Sequence, residues 1–402
     1  MTTAGVCSLA VLAAACSSEG GASSSGTSGF VLPDGGGGLD GAGPDGGACP
    51  PAPTVVLEAK ARKLSLAGDR LVFVDRNAGP EFYPGASADS KTFAIRTVKV
   101  DGTGDAVLYT PTTLHQINDL RVAGDTIYFL ESERLPNTSE ETRIYAMPVA
   151  GGAPQLVAFH ADPESVGDHD RLDTIAAIDA TSLYVVRGLT LNGNVWRVAR
   201  AGGAESLLFR GAISSSPQVV GDSLYLRSGN TGVSGLYSIS KLPIGSTSTT
   251  PTPLGDAACK GDLVAGDFGL LCTGSRETNK TAQLSKWALD GTGHTVIFDP
   301  GEKQSRETQI GPIVDGFVYV APDGSNTSKG LLSKVPLAGG PSTTVACDRA
   351  EIPRRGEFVG GGTNTALVAE LDMVATPTEL VWVEISKASG EDEKSRIYRA
   401  PR

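Results

Sequence analysis

The stretch Val122-Ala123-Gly124-Asp125-Thr126-Ile127-Tyr128-Phe129, followed by Ile144-Tyr145-Ala146-Met147-Pro148-Val149-Ala150-Gly151-Gly152, decides the fold of this chain. Its first half is an apolar run, a Gly-Asp step and a second apolar run. Gly and Asp tolerate the positive φ of a tight turn, so the pattern predicts a two-stranded hairpin. The second half is another strand ending at a glycine turn, and Leu156-Val157 supplies a fourth. Four short strands in sequence make a meander.

The unit recurs. Its hairpin returns at Leu66–Phe73, Ile178–Val185 and Val220–Leu226, and weaker copies start their second strand near Leu270, Phe317 and Leu380. Its second half returns at Val195–Gly203 and Leu332–Gly340. At Ile95–Gly104 and Leu284–Gly293, Asp-Gly-Thr-Gly replaces Ala-Gly-Gly, and Ile239–Ser246 is a degenerate copy. Four-stranded units spaced by about 40 to 60 residues predict an all-β fold, a β-propeller of antiparallel blades. The seven hairpins predict seven blades rather than six or eight. The seventh unit, ending Arg396-Ile397-Tyr398-Arg399-Ala400-Pro401-Arg402, has no chain left for a fourth strand. Thr54-Val55-Val56-Leu57-Glu58 is a spare strand before the first hairpin, and it is expected to fill that place and close the ring.

Composition agrees. The 402 residues include 51 glycines, 24 prolines and only 20% charged side chains, a mixture that suits turn-rich β structure. With 45 acidic against 34 basic residues, the balance of −11 argues against a nucleic-acid partner, which needs a basic surface.

Residues 1–15 are small or apolar and read as a secretory signal, too short to span a bilayer. Residues 16–53 have no periodicity and are rich in Gly, Ser and Asp, so they read as a flexible tether before the propeller at 54–402. Leu12-Ala13-Ala14-Ala15-Cys16 resembles the lipobox of bacterial lipoproteins. That resemblance implies lipidation at Cys16, with the chain held to a membrane through the lipid only. Ser17 in place of a retention aspartate implies the outer membrane of the cell envelope. The unit Ile178–Tyr184 followed by Asn194-Val195-Trp196-Arg197 and Gly202-Gly203 resembles YWTD-type and NHL-type propellers, as found in uncharacterised propeller lipoproteins. Such propellers are mostly binding or scaffold modules, and the resemblance transfers no catalytic motif.

With Cys7 removed and Cys16 acylated, Cys49, Cys259, Cys272 and Cys347 remain for an oxidising compartment. Cys259 and Cys272 flank a hairpin turning near Ala265-Gly266 and are expected to bridge across two neighbouring strands. Cys49 with Cys347 then follows by elimination.

Catalytic signatures are sparse. Gly-x-Ser-x-Gly occurs only in broken form at Gly232–Gly235, no phosphate loop is present, and His115, His160, His169 and His294 are the only histidines. The densest constellation runs from His160 and Asp162 to Asp168, His169, Asp170 and Asp173, between the second and third blades. Those six residues are the candidate ligand contacts, on the face that usually binds ligands. Their nitrogen and oxygen donors could hold a divalent cation, although no cofactor is required. Residues 77–91, with Phe82-Tyr83-Pro84, and 348–365, with Arg349, Arg354 and Arg355, are two further long connections. Trp196, Trp287 and Trp382 read as core residues, and Arg197, Lys241, Lys286, Lys334 and Arg399 share one repeat position as a structural polar stripe.

The expected function is a lipid-anchored, monomeric envelope module that binds or scaffolds a protein or glycan. The alternative is a propeller hydrolase or lyase using acidic and histidine groups. An enzyme should gather titratable groups from several blades in the central funnel, whereas a scaffold should spread its contacts round the rim.

Overall fold

The computed structural model describes residues 50–76, 93–112, 115–134, 140–161, 174–187, 194–211, 217–230, 236–245, 250–274, 283–299, 308–322, 330–349, 372–386 and 394–402. Residues 1–15, expected to be a signal, and most of 16–53, expected to be a tether, lie outside them.

The described strands form seven four-stranded antiparallel sheets, and the expected seven-bladed propeller is what they build. Blade one holds β2 (Ala61–Ala67), β3 (Arg70–Asp75), β4 (Ala94–Lys99) and β5 (Ala106–Tyr109). Blade two holds β6 (His115–Ala123), β7 (Thr126–Arg134), β8 (Glu140–Pro148) and β9 (Gln155–Ala161). Blade three holds β10 (Thr174–Ile178), β11 (Ser182–Arg187), β12 (Asn194–Ala199) and β13 (Ser206–Arg210). Blade four runs from β14 (Gln218–Val220) through β15 (Ser223–Asn230) and β16 (Tyr237–Pro243) to β17 (Thr252–Cys259). Blade five runs from β18 (Leu263–Gly266) through β19 (Gly269–Thr273) and β20 (Leu284–Trp287) to β21 (Thr295–Phe298). Blade six comprises β22 (Thr308–Val314), β23 (Phe317–Pro322), β24 (Gly330–Pro336) and β25 (Thr343–Arg349).

The last blade is composite. Its own strands are β26 (Met373–Ala375), β27 (Glu379–Ser386) and β28 (Lys394–Pro401), and β1 (Thr54–Glu58) joins as the outermost strand. The pairing runs Thr54 to Arg399 and Glu58 to Arg396, with a bulge at Val56. The spare strand fills the vacant place.

Seven apolar clusters hold the ring, and each joins two adjacent blades. The cluster between blades seven and one contains Leu64, Leu71, Phe73, Val381, Val383 and Ile397, with Val56 and Leu57 of β1 packed on it. Alternating strand residues face the two neighbouring seams, which is why second strands such as Leu71–Val74 are buried throughout. Buried aspartates add directed bonds between inner strands. Asp119 on β6 accepts from Thr174 Oγ1 at 2.6 Å and from the Ile175 amide at 2.9 Å on β10. Asp372 accepts from the Lys63 and Leu64 amides on β2 at 2.9 and 3.0 Å.

The glycine after the third strand takes a positive φ at Gly102, Gly151, Gly202, Gly291 and Gly339, and in blades one and five a close approach adds a steric cause. A Cβ on Gly102 would lie 2.9 Å from the Val56 carbonyl oxygen, and one on Gly291 only 2.5 Å from that of Leu254, both on the outer strand of the preceding blade. Their φ values of +89° and +84° also favour glycine. In the Asp-Gly-Thr-Gly version, Asp101 and Asp290 accept from the amides of Thr103 and Thr292 at 2.8 and 2.9 Å, which locks the turn.

The disulfide joins Cys259 to Cys272, with Cα atoms 5.8 Å apart, but not across a hairpin. Cys259 ends the outer strand of blade four and Cys272 lies on the second strand of blade five, whose hairpin turns at Asp267-Phe268. The bridge therefore staples two blades. Cys347 is also disulfide-bonded, and its expected partner Cys49 lies outside the described residues.

Two outcomes test this arrangement. Replacing Thr54–Glu58 with glycine and serine removes the half-buried Val56 and Leu57 side chains from the seam and weakens the pairing that covers the β28 edge. It should lower unfolding free energy by about 3 kcal/mol or more in urea titrations; an unchanged midpoint would show that the ring closes without β1. Separately, Gly291→Ala should cost about 3 kcal/mol, against about 1 kcal/mol for Gly124→Ala, whose Cβ would meet nothing within 4 Å. Equal costs would remove the close approach as the reason for the motif.

Candidate functional site

The first-to-second turn of each blade and the third-to-fourth turn of blades one to six share one end of the ring, and the other connections leave from the opposite end. His160, near the end of β9, belongs to this second end. Asp162, Asp168, His169, Asp170 and Asp173 lie outside the described residues, as do residues 77–91 and most of 348–365.

His160 is engaged across the seam to blade three. Its Nδ1 lies 3.2 Å from Glu205 Oε2, and Glu205 Oε1 accepts from Arg187 Nη2 at 2.5 Å. Arg187 is 1% exposed, so the carboxylate balances a buried guanidinium as well as facing the imidazole. The His160 ring sits 5.7 Å from Trp196. Trp196 is therefore half-buried in this seam, unlike Trp287 and Trp382, which are core residues as expected.

A second group lies between blades one and two, and the sequence reading had not singled it out. Glu131 on β7 is buried; its Oε2 accepts from the Tyr109 hydroxyl at 2.5 Å and its Oε1 lies 2.5 Å from His115 Nδ1. His115 Nε2 is 3.4 Å from Glu133, whose Oε2 accepts from Arg143 Nη1 at 2.8 Å, while Arg143 Nη2 donates to Glu141 at 2.7 Å. Glu131 and Glu133 alternate on one strand and so share a face, which is the signal a period-two reading could have used. Burial, the Glu131 hydrogen bond and the Glu131 charge push the Tyr109 phenol far above its ordinary range. Burial and Glu131 push Tyr145 the same way.

The recurring basic residues run along the third strands. Arg197, Lys241 and Lys334 stand opposite Tyr184, Tyr225 and Tyr319 on the second strands. Lys241 lies 5.7 Å over the Tyr225 ring, Arg399 pairs with Glu379 at 3.3 Å, and Lys286 donates to the Leu337 carbonyl at 3.2 Å. Each is held within the sheet or to the next blade, as a structural stripe.

Among the described residues no group of three His, Cys, Asp or Glu is placed to hold a metal ion, and no helix is long and apolar enough to cross a membrane. Both histidine clusters sit in seams, each tied to carboxylates of the same or the adjacent blade.

No family model matches the chain, and no characterised protein sequence does. Solved structures do. Puromycin hydrolase superposes with a TM-score of 0.55 at 12% identity, over 81% of this chain and 50% of its own. The chain thus spans half the length of that protein. The β-propeller domain of the Trilobed protease from Pyrococcus furiosus superposes with a TM-score of 0.52 at 12% identity, over 85% of this chain and 96% of its own. That domain has an open velcro topology, whereas here β1 closes the last blade. At such identity the likeness is one of fold, the β-propeller.

The Tyr109–Glu131 contact has a pH signature. The folded pKa of Tyr109 lies above the unfolded value near 10, so its contribution is complete below about pH 10 and is lost as pH rises toward the folded value. Tyr109→Phe should cost about 2 kcal/mol at neutral pH and flatten part of the alkaline fall in urea midpoint. A variant whose alkaline slope matches the parent would show that the phenol ionises as easily in the folded state.

Proposed function

We propose that this chain is a lipid-anchored propeller of the cell envelope that binds or scaffolds an envelope protein or glycan, related to the YWTD- and NHL-like propeller lipoproteins. The observation that carries the reading is the distribution of the described titratable groups. Tyr109, His115 and Glu131 meet between blades one and two, His160, Arg187 and Glu205 between two and three, and Arg402 and Asp315 between six and seven. They are spread round the ring and spent on holding neighbouring blades together. A rigid ring with variable connections at one end suits recognition, because loops on a fixed scaffold hold their geometry. The His160–Asp173 segment is the proposed contact region, with a divalent cation as its candidate ion.

The anchor and the contact region separate experimentally. Cells expressing the chain and fed a clickable fatty acid should yield labelled protein in the outer-membrane fraction, and Cys16→Ser should abolish the label and release the protein. A label that survives Cys16→Ser would overturn the anchor. For the contact region, calcium, zinc or manganese should raise the thermal midpoint over EDTA by mass action. The Asp168, His169 and Asp170 to Ala variant should lose that gain, and identical midpoints in all conditions would remove the cation.

A further inference from the structure

Cys347, on β25 of blade six, is disulfide-bonded, and Cys259 and Cys272 are bonded to each other. The other cysteines of the chain are Cys7, Cys16 and Cys49, and all three precede β1. The second disulfide therefore joins blade six to the segment that leads into the closing strand, whichever of the three it uses. With Cys7 in the expected signal and Cys16 in the proposed lipid anchor, the partner is Cys49.

The described residues around both ends suit such a bond. Val345 and Ala346, next to Cys347 on β25, belong to the apolar cluster between blades six and seven, with Ala400 and Tyr398 of β28. Tyr398 is the register partner of Val55 on β1, and Thr54 stands opposite Arg399. The outer strand of blade six and the closing strand are thus both neighbours of β28. Only Pro50-Pro51-Ala52-Pro53 separates Cys49 from Thr54. Three prolines in four residues favour an extended run of about 3.1 Å per residue, so the steps from Cys49 to Thr54 span roughly 15 Å. A stiff leash of this kind loses little freedom when its far end is fixed.

We infer that the Cys347 disulfide is a redox-sensitive strap that pins the Thr54 end of β1 and so locks the ring. The Glu58 end is already held, because only Ala59 and Lys60 separate β1 from β2. The Thr54 end is the one left to fray. A bond just upstream keeps it at the β28 edge by raising its local concentration there. To form the strap, each thiol gives up its hydrogen, and two electrons and two protons pass to a disulfide oxidant, which leaves as a dithiol. To open it, a thiolate of a dithiol attacks one sulfur, forms a mixed disulfide and is released when its second thiol closes on it. Such exchange needs access to a sulfur. Cys259 and Cys272 are each 0% exposed, whereas Cys347 is half-buried. A dithiol therefore opens the strap first and leaves the staple between blades four and five closed.

The test is stepwise reduction of the full chain with dithiothreitol, read by alkylation mapping and amide hydrogen exchange. Non-reducing digestion should yield a peptide that joins Cys347 to Cys49. At the lowest effective reductant concentration Cys347 should be alkylated while Cys259 and Cys272 stay closed. Exchange within Thr54–Glu58 and Arg396–Arg399 should then quicken at least about ten-fold, with blades four and five unchanged. Cys347→Ser and Cys49→Ser should each show the same fast exchange without reductant, and β1 should no longer respond to it. A link from Cys347 to Cys16 would support the strap and remove the lipid from that residue instead. Exchange of β1 that is equal in the oxidised, reduced and substituted proteins would overturn the strap, as would opening of Cys259–Cys272 before Cys347.

Discussion

A ring of sheets cannot close by the same contacts that build it. Six blades are each completed by a local meander, but the seventh takes only β26, β27 and β28 from its own segment and draws its outermost strand, β1, from the other end of the ring's sequence. The pairing of Thr54–Glu58 with Arg396–Arg399 completes that blade and also sends Val56 and Leu57 into the apolar cluster of the seam between blades seven and one. Six seams join blades consecutive in sequence, whereas this one depends on a contact between residues more than 300 positions apart. Loss of it would expose both a strand edge and an apolar layer.

Within the ring, the seams carry the variation. Apolar clusters are common to all seven, and onto them are added buried aspartates, a glycine against the neighbouring outer strand, or an arginine where other blades have an aliphatic residue. The repeated unit is thus a constant hairpin scaffold with an adjustable interface. Polar bonds between blades replace apolar contact where an arginine follows the third strand, as at Arg200 and Arg402.

What was legible in the sequence was what depends on neighbours along the chain. Gly124-Asp125 and its counterparts mark hairpins because turn geometry is decided by adjacent residues. Counting hairpins against strands was enough to recover closure by β1. The Cys259–Cys272 bridge was found as a pair but placed in one hairpin, because its sequence separation of 13 suits a hairpin as well as a step between blades. Glu205 and Arg187 beside His160, and Tyr109 beside Glu131, were not foreseen, since partners across a seam follow from how sheets pack and leave no period in the sequence. Trp196 was read as core for the same reason: its strand pattern is right, but its environment is set by His160 of another blade.

The antiparallel clasp has a mechanical consequence. Thr54 pairs with Arg399, so the start of β1 and the end of β28 lie at the same end of one ladder. Tension applied between these two points peels the rungs singly, beginning with Thr54–Arg399, instead of shearing them together. The first opening event under stretch is therefore a low-force unzipping of β1, well before any seam of the ring is strained. The covalent staple between blades four and five resists at the far end of such a pull. Its closed loop spans a sequence separation of 13, and withholds about 45 Å from the contour of the extended chain until reduced.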